Sequence, residues 1–435
     1  MPNIWQSLLQ IAESHRRYSF DSPFFRNFWF TIIMEMSKKE NINLSEGFNI
    51  FTNEEWIIKH GKQFLEEYKK KLEELDLKLL NERDKSKYKL KDIRPRIIIT
   101  EYGPIIFFRR RYIIVGKKGY IYLLDEHLGL KKHSRILPSL KKKVLNYIGT
   151  GKRYQDIIDT LGYTNISKTT IGRILNSIDN TSKIFEIENK VNLSIGQNLY
   201  INMDDGYIKY RINKKVLKLS VRIVSFNTGV EYKESKSTKT RKRGVLQNKR
   251  VFYIIGNKTN PITWKKTIKM INFWANNYYE NFANTKLIVG GDGAKWVKKI
   301  AREMNAEFHL DRFHGIKYLK DLFVRGKKKY DSSNWDLYKI AVNLFKNGKA
   351  DQLIKFLKES GLSISKQIMN YFKYNRDGIV SQAEQSYIGV SAETDICNVL
   401  KAPLGFKKAT YTLRNVVNFL SQRAFEINNN FKFNN

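Results

Sequence analysis

One part of the chain constrains the fold more than the rest, because short apolar runs alternate there with helical stretches. Residues 287–289 form a β-prone run that stops at Gly290-Gly291-Asp292-Gly293, and a helix is predicted over residues 294–304. A second short strand, residues 307–310, also ends in an acid, in Asp311-Arg312-Phe313-His314. This order predicts a strand–helix–strand unit of an α/β protein, in which ligands bind beyond the carboxyl ends of the strands.

Two interpretations of these acids are open from the local sequence. An acid flanked by glycines at a strand end lets the backbone approach a ligand closely, which favours a role of Asp292 in a site. An aspartate in front of a helix is also a common N-cap, and this would explain both Asp292 and Asp311 without any chemistry. The choice depends on what the other parts of the chain bring to the same place.

The chain carries a large excess of positive charge, with 79 Lys and Arg against 42 Asp and Glu and a formal net charge of +37. Such an excess favours a polyanionic partner, of which nucleic acid is the first candidate and an anionic membrane surface the second. With 435 residues, of which 42% are apolar, the chain is expected to form about two to four domains with packed cores.

Cysteine content and apolar runs limit the compartment. The single cysteine, Cys397, excludes an intramolecular disulfide bond and a zinc site built from a cysteine cluster. The first ten residues lack the basic and apolar regions of a signal peptide, and the most lipid-like run, residues 24–36, is short and contains charges. We therefore expect no membrane association and a cytoplasmic location.

Two modules are predicted in the N-terminal part. Residues 1–90 are expected to be helical, and a heptad seam over residues 54–83 predicts a long helix that packs within the chain or against a second copy. Residues 91–130 are predicted to form a small β module that carries Arg109-Arg110-Arg111. Clustered guanidinium groups suit phosphates, although a solvated strand end would also explain the triplet.

Residues 131–190 have the layout of a helix-turn-helix domain. Helices are predicted over residues 139–147 and 154–161, and a third helix begins at Ser167, its predicted cap, after a glycine-containing turn. An ordinary helical hairpin is the alternative. The side chains expected to face the major groove are Lys168, Thr169, Thr170 and Arg173.

The catalytic region is predicted over residues 195–316. A strand over residues 198–203 leads into Asp204-Asp205-Gly206, and a separate strand is predicted over residues 207–212. Residues 232–250 form a basic, Ser/Thr-rich stretch, which we expect to be a mobile loop that binds a phosphate backbone. The basic residues assigned to this contact are Arg241, Lys242 and Arg243.

Helices are predicted over residues 317–385, and residues 386–435 are expected to contain one more helix with an acid in its first turn. Three acids then stand out, namely Asp204, Asp292 and Glu393. Carboxylates from two neighbouring strands and one helix can converge on a pair of divalent cations. Hard oxygen ligands suit Mg²⁺, with Mn²⁺ as a possible substitute, and such a pair supports phosphodiester chemistry.

Four short motifs stand in a fixed order along the chain. They are Tyr200-Ile-Asn-Met-Asp204, Gly290-Gly-Asp-Gly-Ala-Lys-Trp296, Leu310-Asp-Arg-Phe-His314 and Ser391-Ala-Glu393. In this order they resemble the ISLre family of bacterial insertion-sequence transposases. Residues 100–129 are similar to the N-terminal half of the same family, so the resemblance covers most of the chain from about residue 95.

The resemblance implies an α/β fold with a ribonuclease H-like catalytic core and a helical insertion, preceded by the helical, small β and helix-turn-helix modules. It implies an Asp-Asp-Glu triad of Asp204, Asp292 and Glu393. Asp205 is the alternative first acid. Glu384, which lies in a capping-box pattern, is the alternative third acid.

The same motifs suggest supporting residues. Asp311 and His314 are expected to have an accessory role, in orienting DNA or in supporting a metal ligand, although a hydrogen bond that locks their loop would explain them equally well. Lys295, in the second motif, is added to the predicted DNA contacts.

These observations predict a Mg²⁺-dependent DNA transposase of the cytoplasm, associated with the nucleoid. It would bind double-stranded DNA at the element ends and at the target, as a homo-oligomer on DNA, and carry out hydrolysis followed by strand transfer. Two alternatives are a catalytically inactive DNA-binding protein and a ribonuclease H-like nuclease or resolvase. The sequence after Glu393, Thr394-Asp395, departs from the Gly-His of the family and leaves the activity open.

Overall fold

The structure is a computed structural model, and it describes residues 50–177, 189–235, 238–324, 334–405 and 410–429. The chain divides into two compact units, residues 1–75 and 76–435. The described part of the first unit lies in helix α1 (Ile50–Glu82), which confirms the long helix predicted over residues 54–83.

A three-stranded antiparallel sheet follows in the second unit. Its strands are β1 (Tyr88–Thr100), β2 (Gly103–Ile114) and β3 (Tyr120–Ile121), and helix α2 (Leu123–His127) comes next. Alternate apolar residues of the first two strands, such as Ile98 and Phe107, are buried, which is the period expected of a sheet with one covered face.

The three helices predicted for the helix-turn-helix segment are present. They are α3 (Pro138–Gly149), α4 (Tyr154–Thr160) and α5 (Lys168–Asn176). Ser167 caps α5 as predicted, because its Oγ accepts the Thr170 N–H at 3.2 Å. Ile171, Ile174 and Leu175 are buried, so the opposite side of α5 is left to solvent.

The rest of the chain is a mixed α/β arrangement. Its strands, in chain order, are β4 (Val191–Asn192), β5 (Asn198–Ile212), β6 (Lys215–Asn227), β7 (Gly229–Ser235), β8 (Thr238–Gln247), β9 (Arg250–Gly256), β10 (Tyr279–Glu280), β11 (Lys286–Gly291), β12 (Glu307–Leu310) and β13 (Tyr411–Thr412). Its helices are α6 (Trp264–Tyr278), α7 (Lys295–Glu303), α8 (Arg312–Phe323), α9 (Trp335–Lys346), α10 (Ala350–Glu359), α11 (Lys366–Tyr374), α12 (Arg376–Val380), α13 (Ala392–Ile396), α14 (Ala402–Leu404) and α15 (Leu413–Asn429). A π-helical turn, Cys397–Lys401, joins α13 to α14.

The central sheet has the strand order β12-β11-β5-β6-β9, with β13 added along the far end of β5. β5, β11 and β12 run parallel, whereas β6 is antiparallel to both β5 and β9. Helix α6 connects β9 to β11 and helix α7 connects β11 to β12. The parallel half of the sheet is therefore built from strand–helix–strand units, as the sequence predicted.

Two predictions for the strands were wrong. The separate strands predicted over residues 198–203 and 207–212 are one strand, β5, because its antiparallel ladder with β6 continues without a break from Tyr200 to Ile212. The loop predicted over residues 232–250 was expected to be mobile, but most of it forms the antiparallel pair β7 and β8. A polar, charged pair of strands has no apolar alternation to reveal it.

Each face of the central sheet is covered by different helices, because alternate side chains of a strand point to opposite sides. Ile201 and Met203 of β5 lie in a core with residues of α6 and α7. Ile208 and Tyr210 of the same strand lie in a core that includes residues of α3, α4, α5, α13 and α15. The helix-turn-helix segment thus shares its core with the sheet.

The helices after β12 form a further core of their own. α8 to α12 pack around a group of buried side chains that includes Leu319, Phe345, Leu353, Phe372 and Ile379. Within the ranges that the structure describes, none of the helices is long and apolar enough to cross a membrane.

Candidate active site

The parallel strands bring three aspartates to the same level of the sheet. β11 pairs with β5 on one side and with β12 on the other, and continuing both registers by one or two residues aligns Asp204, Asp292 and Asp311. The Asp311 N–H donates to the Gly291 carbonyl at 2.8 Å and so extends the last of these pairings. Since neighbouring strands lie about 4.8 Å apart, the three side chains stand in a row.

Asp204 itself lies in the middle of β5, not at a strand end as predicted. β6 continues beside it, whereas β11 stops at Gly291, so that Asp292 follows the end of the neighbouring strand. Its Oδ1 accepts the Asp205 N–H at 2.7 Å.

Glu393 reaches the row from the helix above it. α13 packs on β5 and β6, and a Cβ at Gly206 would lie 3.0 Å from Ile396 Cδ1 of α13 and 2.5 Å from Leu400 Cδ2 of the π-helical turn, so the missing side chain at Gly206 allows a close approach. Burial, together with the neighbouring charges of Asp292 and Glu393, raises the pKa of Asp204 to about 7. The three acids of the predicted triad are therefore brought together, close enough for the charges of Asp292 and Glu393 to act on the pKa of Asp204.

Two cationic or titratable groups stand over Glu393. Lys401 Nζ lies 2.9 Å from Glu393 Oε1, and His314 Nε2 lies 3.9 Å from Glu393 Oε2. The Lys401 charge also acts to lower the pKa of Asp204 against the stronger effect of burial. Lys401 was not among the residues predicted from the sequence.

Asp311 caps a helix, as one of the two interpretations predicted, and its side chain lies near the predicted triad. It caps α8, because its Oδ1 accepts the Phe313 N–H at 2.9 Å. Burial raises its pKa, the charges of Glu393 and Asp292 raise it further, and His314 lowers it. Asp311 and His314, for which an accessory role was predicted, therefore both lie beside the predicted triad.

Asp292 shapes its loop without capping the next helix. Its Oδ1 accepts the Ala294 N–H at 2.9 Å, but the N-cap of α7 is Ala294, which has no side-chain cap. The capping interpretation is therefore wrong for Asp292. Tyr371 of α11 lies close by, since burial and then the charges of Asp292 and Asp311 raise the pKa of its hydroxyl.

Asp205 points to the other face of the sheet and is already paired. Arg222, its direct neighbour on β6, donates to both carboxylate oxygens of Asp205, at 2.7 and 2.8 Å. The Arg222 guanidinium also donates to Thr267 Oγ1 at 2.7 Å and stacks 3.4 Å from the ring centre of Trp296. This arrangement separates the two candidate first acids: Asp204 faces Glu393, and Asp205 holds Arg222.

Asp395, two residues after Glu393, is the buried anchor of α13. Its carboxylate accepts the hydroxyl of Ser225 on β6 and that of Ser391, the latter at 2.7 Å, and it also binds Lys249 Nζ. Ser391 is the N-cap residue of this helix, but its hydroxyl donates to Asp395 and accepts no backbone N–H of the first turn.

Glu384 belongs to a second cluster at the opposite ends of the parallel strands. Ligand atoms of Glu384, Glu307 and His309 lie within 4.8 Å of one another. Glu307 is level with Tyr200 of β5, four residues before Asp204, so about 13 Å separates this cluster from the triad. The capping box predicted for Glu384 is absent, because its N–H donates to the Ser381 carbonyl in a 3₁₀ turn.

The carboxylates of this second cluster have partners within the protein, whereas Nδ1 of His309 is buried without one among the described residues. Burial acts to raise the pKa of Glu307, but hydrogen bonds from Glu384, Lys286, His309 and Ser386 lower it to about 2. Lys286 Nζ lies 2.7 Å from Glu307 Oε2. Burial lowers the pKa of His309. We therefore assign these residues a structural role at the base of the strands.

The predicted DNA contacts lie in separate parts of the structure and differ in exposure. Lys168, Thr169 and Arg173 are exposed on α5 and Thr170 is half-buried there, whereas Lys295 is exposed at the start of α7. Arg241, Lys242 and Arg243 lie on β8, but their side chains are outside the part of the structure that is described.

Each arginine of the triplet Arg109-Arg110-Arg111 forms an ion pair with an aspartate. Arg109, which is buried, lies 3.2 Å from Asp125, Arg110 lies 2.8 Å from Asp76, and Arg111 lies 2.5 Å from Asp92. Because each guanidinium already has an anionic partner, we leave the triplet out of the proposed DNA surface.

The fold and this carboxylate cluster define a mixed α/β protein with a candidate metal-dependent site. Residues 43–398 match the family described as "Uncharacterised protein family (UPF0236)", and the chain belongs to that family. Two UPF0236 proteins of Caldanaerobacter subterraneus subsp. tengcongensis are similar to it. One is 26% identical over 388 residues, 86% of this chain and 77% of the relative, and the other is 27% identical over 349 residues, 78% and 70%. The name of the first relative joins eleven loci of that genome.

Proposed function

We propose that the protein is a DNA transposase with a ribonuclease H-like core, which cuts and joins DNA at the ends of an insertion sequence. The strand order β9-β6-β5-β11-β12, three antiparallel strands continued by two parallel ones, is the arrangement expected of such a core and supports the assignment. The resemblance of the four motifs to ISLre transposases supports it from the sequence.

The observation that carries the proposal is the convergence of Asp204, Asp292 and Glu393 from two strands and a helix. These residues fit divalent cations such as Mg²⁺, because carboxylate oxygens are the hard ligands that such ions prefer. Burial and the charges of the other two acids raise the pKa of Asp204, as expected of a cluster with too little positive charge. Bound cations would activate a water or a 3′-hydroxyl and stabilise the departing oxygen of a phosphodiester.

The neighbouring residues have definable tasks in this proposal. Asp204 has to lose its proton before it can hold a cation. Asp311, which is held by its helix cap, adds a fourth carboxylate beside Asp292. Lys401 neutralises part of the Glu393 charge in the free protein and is placed to contact the phosphate of a bound strand.

DNA binding is assigned to the helix-turn-helix segment and to the excess of positive charge. Lys168, Thr169 and Arg173 occupy the exposed side of a capped helix, where a recognition helix carries its base and phosphate contacts. The net charge of +37 favours a polyanionic ligand. The eleven loci joined in the name of one relative are the copy number expected of a mobile element.

Replacing Asp292 with Asn tests the proposal directly. We expect Mg²⁺-dependent nicking of DNA that carries the element ends to fall by at least about 100-fold, because one ligand of the proposed cations loses its charge. Binding of the same DNA should be retained. Asp336→Asn is the matched control, since Asp336 is 85% exposed on α9 and pairs with Lys339. Undiminished nicking by Asp292→Asn would overturn the assignment.

A second candidate function is DNA binding without catalysis. The contact between Lys401 Nζ and Glu393 favours it, because a lysine at this distance supplies the charge that a cation would bring. In that case the wild-type protein would shift end DNA in a gel but cut it with neither Mg²⁺ nor Mn²⁺.

A further inference from the structure

A pocket adjoins the proposed active site on the side of the helical region. It lies between the loop that follows Asp292 and the C-terminal half of α11, and its volume is about 640 Å³. Gly293, Lys295, Tyr371, Tyr374 and Asn375 are among its lining residues. The volume is in the range of pockets that bind nucleotides and other small molecules.

Two buried polar atoms at this pocket have no hydrogen-bond partner within the part of the chain that the structure describes. They are Oδ1 of Asn375, a residue only 1% exposed, and the hydroxyl of Tyr371. Buried polar groups are nearly always hydrogen-bonded, and exceptions call for a ligand or a function. The Asn375 amide is held in place, because its Nδ2 donates to the Tyr371 carbonyl at 3.1 Å.

The loop is shaped to meet this amide. Gly293 has a φ of +87°, and a Cβ on it would lie 2.5 Å from Asn375 Oδ1. Only glycine can therefore hold the backbone after Asp292 against Asn375. A ligand in the pocket thus sits next to the loop that carries one acid of the triad.

The charge and the aromatic surface of the pocket indicate the class of ligand. Lys295 and Lys373 are exposed lining residues, and they favour an anion. Tyr374 is 44% exposed, and Lys298 Nζ lies over its ring, 4.3 Å from the ring centre. Positive charge beside an exposed aromatic residue is the combination that binds single-stranded nucleic acid, through phosphates and stacked bases.

We propose that this pocket holds one unpaired nucleotide of the DNA strand whose phosphodiester lies at the triad, which rests on the proposed transposase function. The base stacks on Tyr374, while Tyr371 and Asn375 supply a hydrogen-bond donor and an acceptor to it. Lys295 and Lys373 hold the phosphate.

Fluorescence with a defined probe tests this assignment without any cutting. The full chain is titrated, in Ca²⁺ in place of Mg²⁺, with a 24-base-pair duplex that carries a three-nucleotide 3′ overhang containing 2-aminopurine, and with the blunt duplex of the same sequence. We expect the overhang to bind at least about fivefold more tightly than the blunt end, since stacking of each base contributes measurably. Equal binding of the two duplexes would contradict the proposal.

Substitutions locate the effect. Tyr374→Ala should abolish the preference for the overhang and Tyr374→Phe should keep it, because stacking needs the ring and not the hydroxyl. Tyr371→Phe should weaken the preference while leaving the melting temperature equal or higher, because it removes a buried hydroxyl that has no partner among the described residues. Phe273→Ala is the matched control, with 47% exposure on α6. A preference that survives Tyr374→Ala would overturn the proposal.

The two proposals fail in different ways. If the overhang preference depends on Tyr374 but Mg²⁺ never supports cutting, the proposed nucleotide pocket is supported and the proposed transposase activity is contradicted. If end DNA is cut and Tyr374→Ala changes neither the preference nor the cutting, only the proposed nucleotide pocket is contradicted. Absence of any DNA binding would contradict both.

Discussion

Asp204 and Asp205 are adjacent in sequence and opposite in environment, because consecutive side chains of a strand point to opposite faces. Asp204 meets Asp292 and Glu393, whereas Asp205 is neutralised by Arg222. Sequence alone could not choose between them, since the choice depends on which face α13 covers. Lys401 was also beyond prediction, because it lies eight residues after Glu393 and helical neighbours are expected three or four apart.

The stability of the metal-free protein should depend on the charge of Asp204. Its pKa is raised from 3.8 to about 7, so the neutral form is favoured in the folded state, and the stability this contributes is lost as the pH rises from 3.8 through 7. We expect the difference in the free energy of unfolding between Asp204→Asn and wild type to grow in favour of the variant by about 2 kcal/mol from pH 5 to pH 8.

Denaturant unfolding at both pH values, with EDTA present, measures this difference. Addition of Mg²⁺ at pH 8 should stabilise the wild type and not the variant. If Asp204→Asn were less stable than wild type at pH 8 in EDTA, the three carboxylates would not be close enough to repel one another.

Arg222→Met should have the contrary effect on stability. It leaves Asp205 without its bidentate partner and removes the group stacked on Trp296, so we expect a loss of about 3 kcal/mol. Arg222→Lys should lose less, because it keeps the charge but not the paired geometry. Urea unfolding measures all three proteins, and a neutral effect of Arg222→Met would show that Asp205 is not tied to this pair.

At the scale of the elements, apolar periodicity predicted the strands and helices that pack in the core, whereas strands with mostly polar side chains were not recognised. The run β11–α7–β12 was placed within a residue or two, because apolar side chains on both sides of these strands leave a clear pattern. The pair β7 and β8 was taken for a loop, since its strands are held by backbone pairing and carry mostly polar side chains. The end of β11 beside a continuing β5 could not be predicted either, because it depends on which strands are neighbours.

The element that carries Glu393 depends on one buried ion pair. Asp395 is 2% exposed, and Lys249 and two serines hold it against the sheet. Lys249→Met leaves this carboxylate without a cation, so α13 should shift and weaken the metal affinity by about 10- to 100-fold, as loss of a residue that supports metal ligands does.

Calorimetric titration with Mn²⁺ measures the effect, and Lys258→Met, at an exposed lysine, is the control. Lys249→Arg keeps the charge and should restore most of the affinity. A stability loss with unchanged Mn²⁺ affinity would reduce Asp395 to a purely structural anchor.

At the scale of the whole molecule, the charge was evident from composition, but its distribution was not. Three arginines that the sequence offered for phosphate binding are paired with acids, whereas residues of α5 remain exposed. A basic composition therefore has to be corrected for internal ion pairs before it describes a DNA surface. A cation that already has an anionic partner in the protein does not neutralise a DNA phosphate. Such a cation therefore releases no counterions from the DNA.

Salt dependence of DNA binding separates these two kinds of cation. Each phosphate contact adds about 0.9 to the slope of the logarithm of the binding constant against the logarithm of the salt concentration. We expect the double variant Lys168→Ala and Arg173→Ala to lower the slope by about 2. Arg110→Ala should leave the slope unchanged and destabilise the protein, because Arg110 holds Asp76, which is 1% exposed.

Fluorescence anisotropy with a duplex that carries the element ends, from 50 to 300 mM KCl, gives the slopes, and a scrambled duplex gives the non-specific reference. If α5 is the recognition helix, the double variant should also lose its preference for the end sequence. An unchanged slope and an unchanged preference would show that α5 does not contact DNA, and the exposed cations of the loop after Asp292 would then be the next to examine.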